Sequence, residues 1–347
     1  MNKREVGIGL IGCGRAGLIH GRNFAAGVSD ARLVAIADPS LEMREKAVQV
    51  LGDVSSYPDI QALLDDPKID AVVVATPTPF HRNIAVTAAE AGKHIFCEKP
   101  MAMNAVDCTD MIAAASQNKV KLQIGFMRRY DRSFVRAKEQ VDAGIIGQVV
   151  QVKSLTHGPS IPQPWMYDLK KSNGPLAEVN SHDIDTLRWF TGSEFKTVYA
   201  LGANYRCPNV REEFPDFYDN VCLCASFESG VQGIIAGAQG VRYGYDARVE
   251  ILGTEGIIFI GRLNDTTVVS CTPNGIVAPV VKSWTDLFLD AYRLEDEDFV
   301  RCILEDRVPR VNGVDGLRAV EVVNAGNESI RTGGVVTFSR AKGEGDL

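Results

Sequence analysis

The stretch Val6–Gly17, VGIGLIGCGRAG, carries the reading of the fold. Its first half, Val6–Ile11, is an unbroken run of apolar residues and glycine. That is the pattern of a parallel strand buried on both faces. Its second half is a GxGxxG, with glycines at 12, 14 and 17. The spacing alone is common, but straight after a strand and ahead of a helical segment it predicts a phosphate-binding turn. Gly12 permits the tight turn, Gly14 lets a pyrophosphate approach the backbone, and Gly17 lets the helix pack closely on the strand. Arg15 and Ala16 stand at the helix start, where N–H groups and the helix dipole favour an anion.

Outward from this turn, Arg32–Ala37 (RLVAIA) reads as a second strand ending at Asp38, 21 residues after Gly17. A carboxylate there accepts hydrogen bonds from an adenosine ribose and repels a 2′-phosphate, so the expected cofactor is NAD rather than NADP. Ser40 is placed to soften that preference. Ala71–Ala75 (AVVVA), Lys93–Cys97 (KHIFC) and Lys121–Gly125 (KLQIG) continue the strand series. Helical stretches intervene, such as Asn83–Glu90 with Gly92 as its stop. Strand–helix alternation predicts an α/β, doubly wound parallel sheet over residues 1–125.

After Gly125 the pattern changes. Gly147–Ser154, Thr197–Leu201, Val221–Phe227, Gly230–Ala236, Asp246–Leu252 and Gly256–Ile260 read as strands with turn residues between them. Two helical segments stand out, Asp183–Phe190 before Gly192 and one starting near Leu287. An α+β domain with an open, mostly antiparallel sheet is therefore expected over residues 126–340. The polar tail 341–347 (AKGEGDL) is expected to be disordered.

Composition narrows the function. The chain has 347 residues, 45% of them apolar, and a formal net charge of −7, with no Lys/Arg-rich arm. Nucleic acid is not an expected partner. No stretch reads as a signal peptide or membrane span, and the expected location is the cytoplasm. The eight cysteines, at 13, 97, 108, 207, 222, 224, 271 and 302, include no CxxC pair. They read as reduced core thiols, and no metal site is expected. Cys222 and Cys224 should share one face of a strand.

Three further segments hold chemistry-bearing side chains. Thr76-Pro77-Thr78-Pro79-Phe80-His81 follows a strong strand, and loops at such strand ends line the ligand crevice. Pro77 is a candidate to pack beside a nicotinamide. His81 is either a cofactor neighbour or simply the first residue of a helix. Cys97-Glu98-Lys99-Pro100 also follows a strand end, with Lys99–Pro100 a candidate cis peptide. Lys99 is either a surface lysine or a donor that stabilises developing negative charge on a substrate oxygen. In Glu178-Val179-Asn180-Ser181-His182-Asp183, a helix beginning at or before Glu178 would put Glu178 and His182 at i and i+4 on one face. A carboxylate beside an imidazole suits it to accept a hydroxyl proton. The alternative is a buried histidine that only caps the helix.

Taken together, Gly12–Gly17, Cys97–Pro100, Gly125-Phe126-Met127-Arg128-Arg129-Tyr130-Asp131 and Ser181-His182-Asp183-Ile184-Asp185 resemble the Gfo/Idh/MocA family, with the nearest likeness to its inositol 2-dehydrogenases. Tyr243-Gly244-Tyr245-Asp246 and the stretch around Trp284, Phe288, Ala291 and Tyr292 share the likeness, which spans nearly the whole chain. The resemblance implies an N-terminal Rossmann domain and a C-terminal domain for substrate binding and assembly into a homo-oligomer, a dimer or tetramer. It implies catalytic Lys99 and His182, with Glu178 where the family has aspartate. It also implies cofactor contacts from Thr76, Pro77, His81, Glu98 and Lys99. Met127, Arg128, His157 and Tyr245 match positions near the substrate, alongside Lys99 and His182. Thr156-His157-Gly158-Pro159 lacks a family asparagine just downstream, a sign of an altered pocket.

The expected activity is NAD-dependent oxidation of a secondary hydroxyl of a cyclitol (myo- or scyllo-inositol-like) or sugar to the ketone. Two alternatives stand beside it: a hexose, amino sugar or glycoside dehydrogenase on the same fold, and a non-catalytic NAD-sensing regulator. Fold alone does not separate them.

Overall fold

The structure, a computed structural model, describes residues 5–339. The expected disordered tail 341–347 lies outside the described residues. The chain forms two compact units. One runs through Tyr130 and takes in Asp290–Val320; the other comprises Asp131–Leu289 and the chain from Glu321 onward. The sequence reading placed a single boundary after residue 125. Compactness instead groups Asp290–Val320 with the first unit, because Phe299 and Val300 join Phe96, Leu10 and Val73 in its core.

The first unit contains a six-stranded parallel sheet. Its strands are β1 (Val6–Ile11), β2 (Ala31–Ala37), β3 (Ser55–Tyr57), β4 (Ala71–Val74), β5 (His94–Glu98) and β6 (Leu122–Gly125), in the order β3-β2-β1-β4-β5-β6. Between them run α1 (Arg15–Ala26), α2 (Leu41–Leu51), α3 (Ile60–Leu64), α4 (His81–Glu90) and α5 (Ala105–Gln117). All residues of β1 and β4 are buried, as the apolar runs predict. The strand order reverses between β1 and β4, and the crevice beyond their carboxyl ends is where such sheets bind ligands.

The second unit begins with α6 (Arg132–Asp142) and β7 (Val149–Gly158). Three helices follow: α7 (Leu169–Ser172), α8 (Gly174–Glu178) and α9 (Ser181–Thr191). The strands β8 (Phe195–Ala203), β9 (Asn220–Phe227), β10 (Gln232–Gln239), β11 (Asp246–Gly253) and β12 (Ile257–Ile260) come next. A small hairpin, β13 (Ser270–Thr272) with β14 (Gly275–Val277), precedes the long helices α10 (Trp284–Leu304) and α11 (Gly313–Thr332), whose residues between Asp290 and Val320 count with the first unit, and β15 (Val336–Thr337) closes the order. The large sheet runs β12-β11-β7-β10-β9-β8-β15. Its pairings are antiparallel except β7 with β10. Helices α8 and α9 cover one face of it.

Two expectations change here. Cys222, Cys224 and Cys271 are exposed rather than core thiols. In β9 the inward positions belong to Val221 and Leu223, so period-two alternation sends both cysteines outward together. Helices α6 and α11 also lie where the sequence reading marked none. Among the described residues, no helix is long and apolar enough to cross a membrane.

Asn180 seats the start of α9 against β10. Its side chain is fully buried and donates to Asp183 Oδ2 at 2.8 Å. A Cβ on Gly237 would stand 2.1 Å from Asn180 Oδ1. Gly237→Ala is therefore expected to cost about 1–3 kcal/mol, the usual range for overpacking a well-filled site. Urea unfolding measures this; an unchanged midpoint would mean that Asn180 swings aside freely.

Candidate active site

The glycine turn has the geometry its sequence predicts. Gly12 adopts a φ of 97°, and a Cβ there would meet Ala75 O at 2.6 Å. Gly17 faces Gly12 O so closely that a Cβ would lie 2.0 Å from it. Nothing lies within 4 Å of a Cβ at Gly14, so this backbone is open to a ligand. Arg15 is exposed and begins α1, with Ala16 half-buried beside it. Asp38 leaves β2 beside the turn: its Oδ2 accepts from Cys13 N and its Oδ1 from Ser40 N, both at 2.9 Å. Ser40 spends its hydroxyl as the N-cap of α2, accepting from Met43 N at 3.3 Å. Arg44, which the sequence reading did not single out, donates to Asp38 O at 2.6 Å.

The loops after β4 and β5 are tied together by His81. Its Nε2 lies 2.7 Å from Thr76 O and its Nδ1 2.9 Å from Pro100 O. Burial pushes the imidazole pKa below its ordinary value, against the pull of those two carbonyls. A neutral ring carries one N–H and satisfies one carbonyl at a time. His81 is thus a buried clasp between two crevice loops. Pro77 is exposed, and the Thr76 hydroxyl is buried without a hydrogen-bond partner. The Lys99–Pro100 peptide is cis. Lys99 is half-buried, and its N–H donates to Glu98 Oε2 at 3.0 Å. Glu98 is itself buried, with its other oxygen 3.0 Å from His20 Nε2. Met127 and Arg128 are both buried, in the turn after β6.

The remaining candidates belong to the second unit. Helix α8 ends at Glu178, and α9 restarts at Ser181 after a break in which Val179 N and Asn180 N both donate to Pro175 O. Glu178 and His182 are therefore not i and i+4 on one helix, contrary to the sequence reading. His182 is the second residue of α9 and is buried. Its neighbour Asp183 anchors that helix end to β7, accepting from Ser154 Oγ at 2.5 Å and Thr156 Oγ1 at 3.0 Å. At the end of the same strand, His157 Nδ1 lies 2.5 Å from Tyr243 Oη. Tyr243 in turn donates to Asp246 Oδ2 at 3.1 Å, and Arg248 grips Asp246 with two hydrogen bonds of 2.7 and 2.9 Å. Burial and the Asp246 charge hold the Tyr243 pKa up, at about 12. The phenol keeps its one proton and serves one of these two neighbours at a time; with that proton on the Asp246 side, a neutral His157 donates from Nδ1 and keeps Nε2 as an acceptor. Burial also pushes the His157 pKa down, against Asp246 and Asp183. Tyr245 is buried, with its ring 6.5 Å from that of Phe288.

Residues 6–126 match the oxidoreductase family with an NAD-binding Rossmann fold, Gfo/Idh/MocA, and residues 134–259 match the C-terminal domain of the same family. The chain belongs to the Gfo/Idh/MocA family. It is 32% identical over 331 residues to the scyllo-inositol 2-dehydrogenase (NAD(+)) of Bacillus subtilis (strain 168), covering 95% of this chain and 96% of that protein. It is 33% identical over 326 residues to the Myo-inositol 2-dehydrogenase of Thermotoga maritima, covering 93% and 96%. A crystal structure of scyllo-inositol dehydrogenase from Lactobacillus casei with bound cofactor NAD(H) and scyllo-inositol matches with a TM-score of 0.88 at 29% identity, covering 96% of this chain and 99% of that one.

As a Gfo/Idh/MocA protein the chain is an NAD-dependent oxidoreductase. Its own residues fit that cofactor. The open backbone at Gly14 is placed for a pyrophosphate, the Asp38 carboxylate for a ribose, and the unpartnered Thr76 hydroxyl lies in the loop beyond β4. A charge-assisted hydrogen bond is worth about 1.5–3 kcal/mol, so Asp38→Ser is expected to weaken NAD binding roughly 10- to 150-fold. It should also shift the NADP-to-NAD affinity ratio towards NADP. Calorimetric titration of both nucleotides tests this, and an unchanged ratio would remove Asp38 from cofactor choice.

Proposed function

We propose that this oxidoreductase acts on a CH–OH group, oxidising a secondary hydroxyl of a cyclitol, myo- or scyllo-inositol-like, or of a sugar to the ketone. The observation that carries this reading is likeness along nearly the whole chain to proteins named scyllo- and myo-inositol 2-dehydrogenases, at 32% and 33% identity. Glycines 12, 14 and 17, with Arg15, Ala16, Asp38, Thr76 and Pro77, would hold NAD. Bound NAD supplies the hydride acceptor. Lys99 donates to the substrate oxygen and stabilises the negative charge that develops there. His182 takes the hydroxyl proton as general base, with Glu178 giving electrostatic support. Met127, Arg128, His157 and Tyr245 shape the substrate site. His81 and Glu98 support the cofactor loops from within rather than through exposed polar atoms. We place the enzyme in the cytoplasm as a homo-oligomer. The exposed apolar residues Leu201 of β8 and Phe259 of β12 favour association through the large sheet.

General-base assistance is typically worth about 10²–10⁴ in rate. Lys99→Ala and His182→Ala should each lose turnover on that scale while keeping NAD affinity. The test is NADH formation against a panel of inositol isomers, hexoses and glycosides. Undiminished turnover in either variant would take that residue out of the mechanism. Tight NAD binding with no NADH from any polyol would favour a sensor instead.

A further inference from the structure

Beneath the Cys97–Pro100 turn, within the first unit, lies a set of buried charged groups that the proposed chemistry does not use. His20 of α1 is fully buried. Its Nδ1 is 2.7 Å from Asp296 Oδ1 and its Nε2 is 3.0 Å from Glu98 Oε1. The second oxygen of Asp296 accepts from Asn23 Nδ2 at 2.7 Å. The rings of Phe96 and Tyr292 wall the imidazole, with centroids at 4.8 and 5.6 Å. Glu295 completes the set: it is fully buried, and neither of its carboxylate oxygens has a hydrogen-bond partner.

The protonation of this cluster follows from its surroundings. Burial alone would depress the His20 pKa, but Asp296 and Glu98 outweigh it and hold the pKa well above the ordinary imidazole value. Burial drives Glu295 the other way from a normal carboxylate, well up, despite the attraction of His20. His20 is thus held towards its cationic form and Glu295 towards its neutral one. His20, Glu98 and Glu295 do bring three ligand atoms within 4.8 Å of one another, a spacing a metal ion could use. Both imidazole nitrogens already face carboxylates at hydrogen-bond distance, however, and neither is left open to a metal. The cluster is better read as a proton-held clamp than as a cation site.

We propose that His20 is a positioning residue for Lys99. Its imidazolium fixes the Glu98 carboxylate from below. The other Glu98 oxygen holds the Lys99 N–H at 3.0 Å, so the ring sets the backbone from which the lysine side chain departs. Asp296 fixes the ring itself. The chain of contacts is Asp296, His20, Glu98, then the Lys99 backbone, and each link is a hydrogen bond to a charged group. This inference rests on the reading of Lys99 as a catalytic residue.

A double-mutant cycle on the full-length enzyme separates this role from a merely structural one. Misplacement of a reacting group by about 1 Å costs on the order of 10²-fold, so His20→Ala should lower kcat by about that factor with NAD affinity nearly unchanged. His20→Gln, which keeps a donor for Glu98, should recover part of the loss. In a Lys99→Ala background, His20→Ala should change kcat less than about twofold, because the group it positions is gone. Should His20→Ala fail to fold, Asp296→Asn removes one charged contact with little change of shape. It should lower kcat by about tenfold through the same cycle. A folded His20→Ala with normal kcat would overturn the proposal. So would an equal loss with and without the Lys99 amine, or a divalent metal that copurifies in stoichiometric amount and is lost in Glu295→Gln. Normal turnover in Lys99→Ala alone would instead fault the reading of Lys99, so the two failures are told apart.

Discussion

The approach of α1 to the first strand governs what the rest of the first unit can do. Gly17 leaves only the space of a hydrogen between the helix and Gly12 O, and no other residue type lets the two come so close. That contact places the start of α1 over the carboxyl end of β1, at the reversal of strand order, and so directs its N–H groups at one point. It brings Cys13 N to the Asp38 carboxylate, joining the turn to β2. One turn further along the same helix, it sets His20 under the loop that follows β5. An open glycine backbone, a carboxylate beside it and a buried imidazole are thus consequences of one steric allowance.

Most of the first unit was legible in the sequence because its signals are local. Buried parallel strands are short apolar runs, and β1 was foreseen at its observed bounds. Glycines of special conformation stand at fixed offsets from it, and Gly92 and Gly192 end helices as their placement suggested. The short β3 (SSY) escaped because it has no buried residue to mark it. Helix α11 escaped for a different reason. Its glycines at 313, 316 and 326 depress helix propensity and weaken the local helix signal. In the structure Gly316 abuts Met101 and Gly326 abuts Leu176, so the glycines serve close packing.

The candidate site was legible as residue types more than as contacts. Sequence spacing offered a carboxylate for His182 four residues back, but Asn180 breaks the helix between them. Asp183, next to the histidine, anchors α9 to Ser154 and Thr156, which are nearly thirty residues away in the chain and beyond the reach of any local pattern. His20 was not singled out in the sequence, where it is simply part of the helical segment after the glycine turn. Its partners lie 78 and 276 residues further along the chain, and nothing near position 20 announces them. Tyr243 was quoted only as part of a likeness, although it is the residue that holds His157.

That tyrosine has a consequence for ligands. Where Tyr243 gives its proton to Asp246, the neutral His157 donates from Nδ1 and presents a lone pair at Nε2. A group that comes to lie against it must bring its own proton, as a hydroxyl or an ammonium does. A ketone or ether oxygen in that place would set one lone pair against another. A nitrogen held in that state tells a hydroxyl from a carbonyl oxygen without any change in its own position.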